Sequence, residues 1–83
     1  MIKRYVIVTQ VTCTKCPTIK EFLKTVDIPG EEIDATSDEG FEEARKLNVM
    51  STPVVIFFDE NEKEIARANS LEELKEFLSK HSK

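Results

Sequence analysis

The chain predicts an α/β fold in the order β-α-β-α-β-β-α, a four-stranded mixed sheet flanked by three helices. Three observations lead there. Two segments, residues 2–8 without polar alternation and residues 53–58 as an unbroken apolar run, are rich in β-branched and aromatic side chains, as strands buried on both faces are. Between and after them lie three segments whose apolar residues recur every three to four positions. Turn and helix-start residues separate the segments, with no low-complexity linker and no repeat, so residues 1–83 read as a single domain.

The elements follow in order. Residues 2–8 form a strand, and the period changes over residues 17–26, where Ile19, Phe22, Leu23 and Val26 share one helical face until Pro29-Gly30. Residues 31–35 carry a weak strand signal centred on Ile33. Thr36 and Glu39 offer a capping box ahead of Phe41, Ala44 and Leu47, which lie on one side of a second helix. Pro53 opens the second buried strand, residues 59–62 form a turn, and residues 63–68 return as an edge strand with Ile65 pointing inward. Ser70 and Glu73 repeat the capping box before Leu71, Leu74, Phe77 and Leu78, the apolar face of the last helix. A right-handed crossover then places helices on both faces of the sheet.

Composition removes several function classes. At 83 residues, with 40% hydrophobic content and five Phe, the chain supplies one core without disulfide staples. A net charge of −4 and the lack of any Lys/Arg cluster beyond Lys3-Arg4 exclude a phosphate-tracking nucleic-acid binder. The early apolar stretch, Tyr5 to Val8, is too short for a signal-peptide core or a membrane span, so a soluble, cytoplasmic protein is expected. In that reducing compartment a cysteine pair is reactive or metal-binding rather than a permanent bridge.

The only two cysteines stand in Cys13-Thr14-Lys15-Cys16-Pro17, where the first strand gives way to the first helix. With Cys13 at the first helical turn, unpaired N–H groups and the helix dipole would stabilise its thiolate, and Cys16 lies one turn on. One sulfur can attack and the other resolve. Lys15 adds a nearby positive charge. Pro17 lacks only an N–H that an early helix position leaves unpaired. The reactive pair is expected at the carboxyl end of a sheet strand, where open α/β sheets bind ligands.

This pair, the element order and Val49-Met50-Ser51-Thr52-Pro53, with Thr52 placed 36 residues after Cys16, resemble the thioredoxin and glutaredoxin superfamily along essentially the whole chain. The resemblance implies the thioredoxin fold, with Pro53 cis against the cysteines and Thr52 pairing its backbone with a bound substrate chain. It implies a thiol–disulfide oxidoreductase that reduces protein disulfides without a cofactor or metal. Cys13 attacks, Cys16 resolves, and a thioredoxin-reductase-type or ferredoxin-dependent reductase restores the dithiol. Val11, Met50 and the ring of Pro53 form the apolar rim for a protein partner, and the protein acts as a monomer.

Within the superfamily the departures are informative. Glutathione-using glutaredoxins carry a lysine where Gln10 stands and a Gly-Gly-Asp-like turn where Ala68-Asn69-Ser70-Leu71 stands. The Trp before the first cysteine and the Gly-Pro between the cysteines, both usual in thioredoxins, are absent, and their buried Asp falls at or near Ile7. Proton transfer at Cys16 then relies on water, Lys15 or another group. The likeness is to small, glutaredoxin-sized thioredoxins of archaea and bacteria. Two other readings stay open: a glutathione-dependent glutaredoxin, and a non-catalytic docking module or CxxC metal site in a homodimer. Structural zinc needs four ligands, and the only His, His81, lies in the terminal tail. Tyr5, Phe22, Phe57 and Phe77 are read as core, and Glu31-Glu32, Glu42-Glu43 and Glu72-Glu73 as solvated surface.

Overall fold

The computed structural model describes residues 2–49 and 52–81. Its elements are β1 (Arg4–Thr9), α1 (Cys16–Leu23), β2 (Gly30–Asp34), α2 (Asp38–Lys46), β3 (Val54–Phe58), β4 (Glu64–Ala68) and α3 (Leu71–His81). They form a four-stranded mixed sheet in the order β2-β1-β3-β4, the thioredoxin fold. β1 runs parallel to β2 and antiparallel to β3, and β4 returns antiparallel to β3.

Strand alternation divides the core in two. Ile7, Val55, Phe57 and Ala68 face one side with Ile19 and Leu23 of α1 and Leu74 and Leu78 of α3. Val6, Val8, Val54, Ile56 and Phe58 face the other, with Ile33 of β2 and Ala44 of α2. Each fully buried Val, Leu, Ile or Phe side chain contributes about 1.5–3 kcal/mol over leaving it in water. The stacked rings of Phe57 and Phe77, 4.7 Å apart, join β3 to α3.

Local chemistry shifts several element ends. The first helix begins at Cys16, so Cys13 precedes it instead of lying in its first turn, because Pro17 has no N–H to donate to the Cys13 carbonyl, the bond that would extend the helix backwards. It ends at Leu23 instead of residue 26. Lys24 and Thr25 bond back three residues, to Glu21 and Phe22, and the Thr25 hydroxyl also donates to the Phe22 carbonyl at 2.7 Å, tightening the last turn.

The cap of α2 is Ser37, not Thr36: its Oγ accepts the Gly40 N–H at 2.9 Å. At the other end Asn48 takes a positive φ of 59°. Asn48 N–H donates to Arg45 O and Val49 N–H to Ala44 O, a Schellman turn that aims the chain toward Thr52. The Arg67 guanidinium of β4 donates to the Leu47 and Asn48 carbonyls and holds that turn against the sheet.

For α3, Ser70 Oγ accepts the Glu73 N–H, while the Glu73 carboxylate reaches the N–H of Asn69 instead of Ser70. Ile65 does not point inward but is exposed. Ala66 and Ala68 have the opposite parity and pair with Phe57 and Val55, so they take the inner face against α1 and α3 and leave Ile65 on the other one.

Gly40 in the first turn of α2 sits against the end of β2. A Cβ there would lie 1.8 Å from the Asp34 carbonyl oxygen and 2.6 Å from its carbon, both backbone atoms. Gly40→Ala is therefore expected to lower stability by about 1–3 kcal/mol, read as a fall in the urea unfolding midpoint with unchanged slope. An unchanged midpoint would show that β2 and α2 separate freely.

Candidate functional site

The site is built where β1 ends. Thr9 closes the strand, and the Cys13 N–H donates to the Gln10 carbonyl at 3.1 Å, folding the chain back toward α1. Cys13 and Cys16 are joined by a disulfide with their Cα atoms 5.5 Å apart. Although Cys13 precedes the helix, this bond ties its sulfur to Cys16, the first residue of α1. Cys16 is only 3% exposed, whereas Cys13 is half-buried. The two sulfurs therefore differ in access, the outer one belonging to Cys13.

Antiparallel pairing of Val8 with Val54 brings the start of β3 to the end of β1. The Thr52–Pro53 peptide bond there is cis. A groove of about 430 Å³ runs between the two segments, lined by Cys13, Lys15, Thr52 and Pro53 together with Gln10 and Asn69. Lys15 occupies the N-cap position of α1, exposed between the cysteines, and its side chain makes no capping bond. The Thr52 hydroxyl lies 3.4 Å from Gln10 Oε1 across the groove. Val11 is outside this groove, on the other flank of the disulfide, and is 76% exposed. Met50 lies outside the described residues.

The far flank is polar and was not legible as part of the site. A second cavity of about 250 Å³ is lined by Cys13 and by Cys16, Pro17 and Lys20 of α1, and by Thr9, Glu32 and Asp34 of the sheet. Thr9, 5% exposed, donates from Oγ1 to Glu32 Oε2 at 2.9 Å. Lys20 Nζ lies 3.2 Å from both oxygens of the same carboxylate. Glu32 is thus not plain solvated surface. Consecutive strand residues point to opposite faces, so Glu31 and Glu32 separate and only Glu32 turns toward α1. Recognition of residues 31–35 as a strand was the one signal that could have found it.

Thr36, freed from capping, has another task. Its N–H is taken by Asp34 Oδ1 at 2.9 Å, and its Oγ1 accepts the Val11 N–H at 3.1 Å, tying the segment before Cys13 to the end of β2. Ile7, where the resemblance places a buried acid, is core. Among the described residues no group of three His, Cys, Asp or Glu converges as metal ligands would, and no helix is long and apolar enough to cross a membrane.

A thioredoxin fold with a bonded CxxC pair at the β1–α1 turn defines the class, a thiol–disulfide oxidoreductase. Residues 4–79 match the family described as Thioredoxin domain, and the chain belongs to that family and to the thioredoxin/glutaredoxin superfamily. None of the curated proteins matches significantly. Among solved structures, oxidized thioredoxin O2 of Arabidopsis thaliana is similar at a TM-score of 0.81 and 20% identity, over 99% of this chain and 76% of that one. Thioredoxin 1 of the thermophilic eubacterium Thermosipho africanus is similar at 0.67 and 25% identity, over 96% of this chain and 99% of that one. The Schistosoma mansoni thioredoxin pre-protein is similar at 0.74 and 24%, over 93% and 76%.

Removing the Thr36 hydroxyl tests the tie. In Thr36→Val the Val11 amide should exchange its hydrogen at least about fivefold faster, the equivalent of roughly 1 kcal/mol for one hydrogen bond. Amide exchange followed by NMR reads it, and an unchanged Val11 rate would show that the bond does not hold this segment.

Proposed function

We propose that the protein reduces disulfides of protein substrates by dithiol exchange, with Cys13 as nucleophile and Cys16 as resolving thiol. The observation that carries this reading is the difference in access: Cys13 opens into the groove beside Thr52 and cis Pro53, while Cys16 is buried behind it. In the reduced protein the Cys13 thiolate attacks one sulfur of a substrate disulfide. A Cys13–substrate bond forms, the substrate S–S bond breaks, and the first substrate thiolate leaves. Cys16, as thiolate, then attacks Cys13 and expels the second. Two electrons pass from the dithiol to the substrate, and the Cys13–Cys16 disulfide remains.

Nearby groups serve the steps. The N-terminal N–H groups of α1 favour a thiolate at Cys13, an effect of about 0.3–1 kcal/mol at an exposed helix end, and Lys15 adds a positive charge at the groove. Thr52 pairs its backbone with the substrate chain, Pro53 keeps that strand start against the sulfurs, and Val11 and Met50 supply apolar contact at the rim. Gln10, Thr12, Thr14 and Asn69 line the groove with uncharged hydrogen-bonding groups, which suit a peptide main chain better than the two carboxylates of glutathione. A thioredoxin-reductase-type or ferredoxin-dependent reductase recharges the disulfide, and the protein works as a monomer in the reducing cytoplasm.

The roles of the two sulfurs are separable by trapping. Cys16→Ser should accumulate a mixed disulfide through Cys13 with a disulfide-bonded protein such as insulin, visible by mass spectrometry. Cys13→Ser should accumulate none, and the opposite pattern would reverse the roles.

A further inference from the structure

We propose that Glu32 is the proton acceptor for Cys16 in the resolving step, acting through water in the cavity on the far flank of the disulfide. The inference rests on the exchange reading above and names the group that reading lacks. Cys16 must lose its proton before it can attack, yet its side chain is almost sealed from solvent. Lys15 lies in the groove on the opposite side, whose lining does not include Cys16. Besides the two cysteines, the titratable groups on the cavity that Cys16 does border are Lys20, Glu32 and Asp34.

Geometry selects Glu32 among them. Lys20 follows Cys16 by four residues on α1, so the two share a helix face, and Lys20 grips both oxygens of Glu32. Thr9, itself buried at the end of β1, donates to the same carboxylate and fixes it from below. Glu32 is thereby held by one group from each element packed against it, Lys20 of α1 and Thr9 of β1, with Asp34 next on its own strand face. Asp34 is tied instead to the loop after β2, its Oδ1 accepting the Thr36 N–H, whereas Glu32 is tied to the helix that carries Cys16. A volume of about 250 Å³ is room for several waters at about 30 Å³ each, and the polar wall gives them partners.

The step balances. With Cys13 bound to substrate, the Cys16 S–H proton passes through cavity water to the Glu32 carboxylate. The sulfur's electron pair forms the Cys13–Cys16 bond, and the Cys13–substrate bond breaks with its pair leaving on the substrate sulfur. When a reductase thiolate later attacks Cys13, Cys16 leaves as thiolate and recovers the proton from Glu32. Glu32 touches neither sulfur and is a positioning and proton-relay residue.

Stopped-flow reaction of the reduced protein with dithionitrobenzoate separates the two steps, since attack by Cys13 releases one coloured thiolate and resolution by Cys16 a second. Glu32→Gln keeps an oxygen for Thr9 but cannot take a proton. It should leave the first release within about twofold and slow the second at least about tenfold at pH 7. The second rate should then climb with pH as hydroxide replaces the carboxylate, and Glu32→Asp should restore part of it. Glu31→Gln, on the opposite strand face, should change neither release. An unchanged second release in Glu32→Gln, or equal slowing of both, overturns the proposal. A wild-type protein that gives no second release overturns the exchange reading instead, and this inference with it.

Discussion

Val8 of β1 lies opposite Val54 of β3, and the position of Thr52 and Pro53 at the sulfurs depends on that register. The same pairing sets Ile7 against Val55 and Tyr5 against Phe57, so the residues that bury one core also carry Pro53 to the end of β1. A slip of one residue would turn Val55 and Phe57, both fully buried, to the wrong face and part Thr52–Pro53 from Cys13. The groove beside the disulfide is in this sense a by-product of core packing. Folding energy spread over the whole sheet holds the sulfurs opposite the proline, and no single polar bond at the surface has to do so.

Parallel pairing of β1 with β2 does for the far flank what β3 does for the near one. Ile7 pairs with Glu32 and Thr9 with Asp34, so an acidic side chain stands on the α1 face next to each of the last two inward positions of β1. Cysteine chemistry thus meets two different surroundings. On one side is an open groove of uncharged hydrogen-bonding groups with a single lysine, and on the other a cavity with an ion pair anchored on a buried hydroxyl. In the proposed exchange, substrate and proton approach the disulfide from opposite flanks without competing for space. Thr36 and the Schellman turn at Asn48 brace the two loops that meet there.

Much of this was legible in the chain because the decisive signals are short-range. Apolar continuity in residues 53–58, helical spacing in Ile19, Phe22 and Leu23, and the two cysteines before a proline each report on a neighbourhood of a few residues. Element order and the pairing of cysteines with Thr52 and Pro53 followed from them and from the family likeness. What stayed hidden depends on alternation and on rivals for a hydrogen bond. Ile65 is apolar and Ala66 and Ala68 are small, so hydropathy favours the wrong parity in β4, whereas the bond pattern to β3 selects the alanines. Thr36 and Ser37 are both competent caps, and the Val11 N–H decides between them by engaging the Thr36 hydroxyl. Glu31-Glu32 reads as one charged patch until strand geometry divides it.

The central claim is that Cys13 and Cys16 form a reversible dithiol couple poised to reduce other proteins, and the midpoint potential of that couple tests it most directly. Thiol trapping and mass spectrometry after anaerobic equilibration in graded dithiothreitol buffers would read it. A two-electron couple near or below about −270 mV, where thioredoxin lies, is the predicted result. A potential near the roughly −120 mV of a strong disulfide oxidant, or no reversible intramolecular disulfide at all, would contradict it.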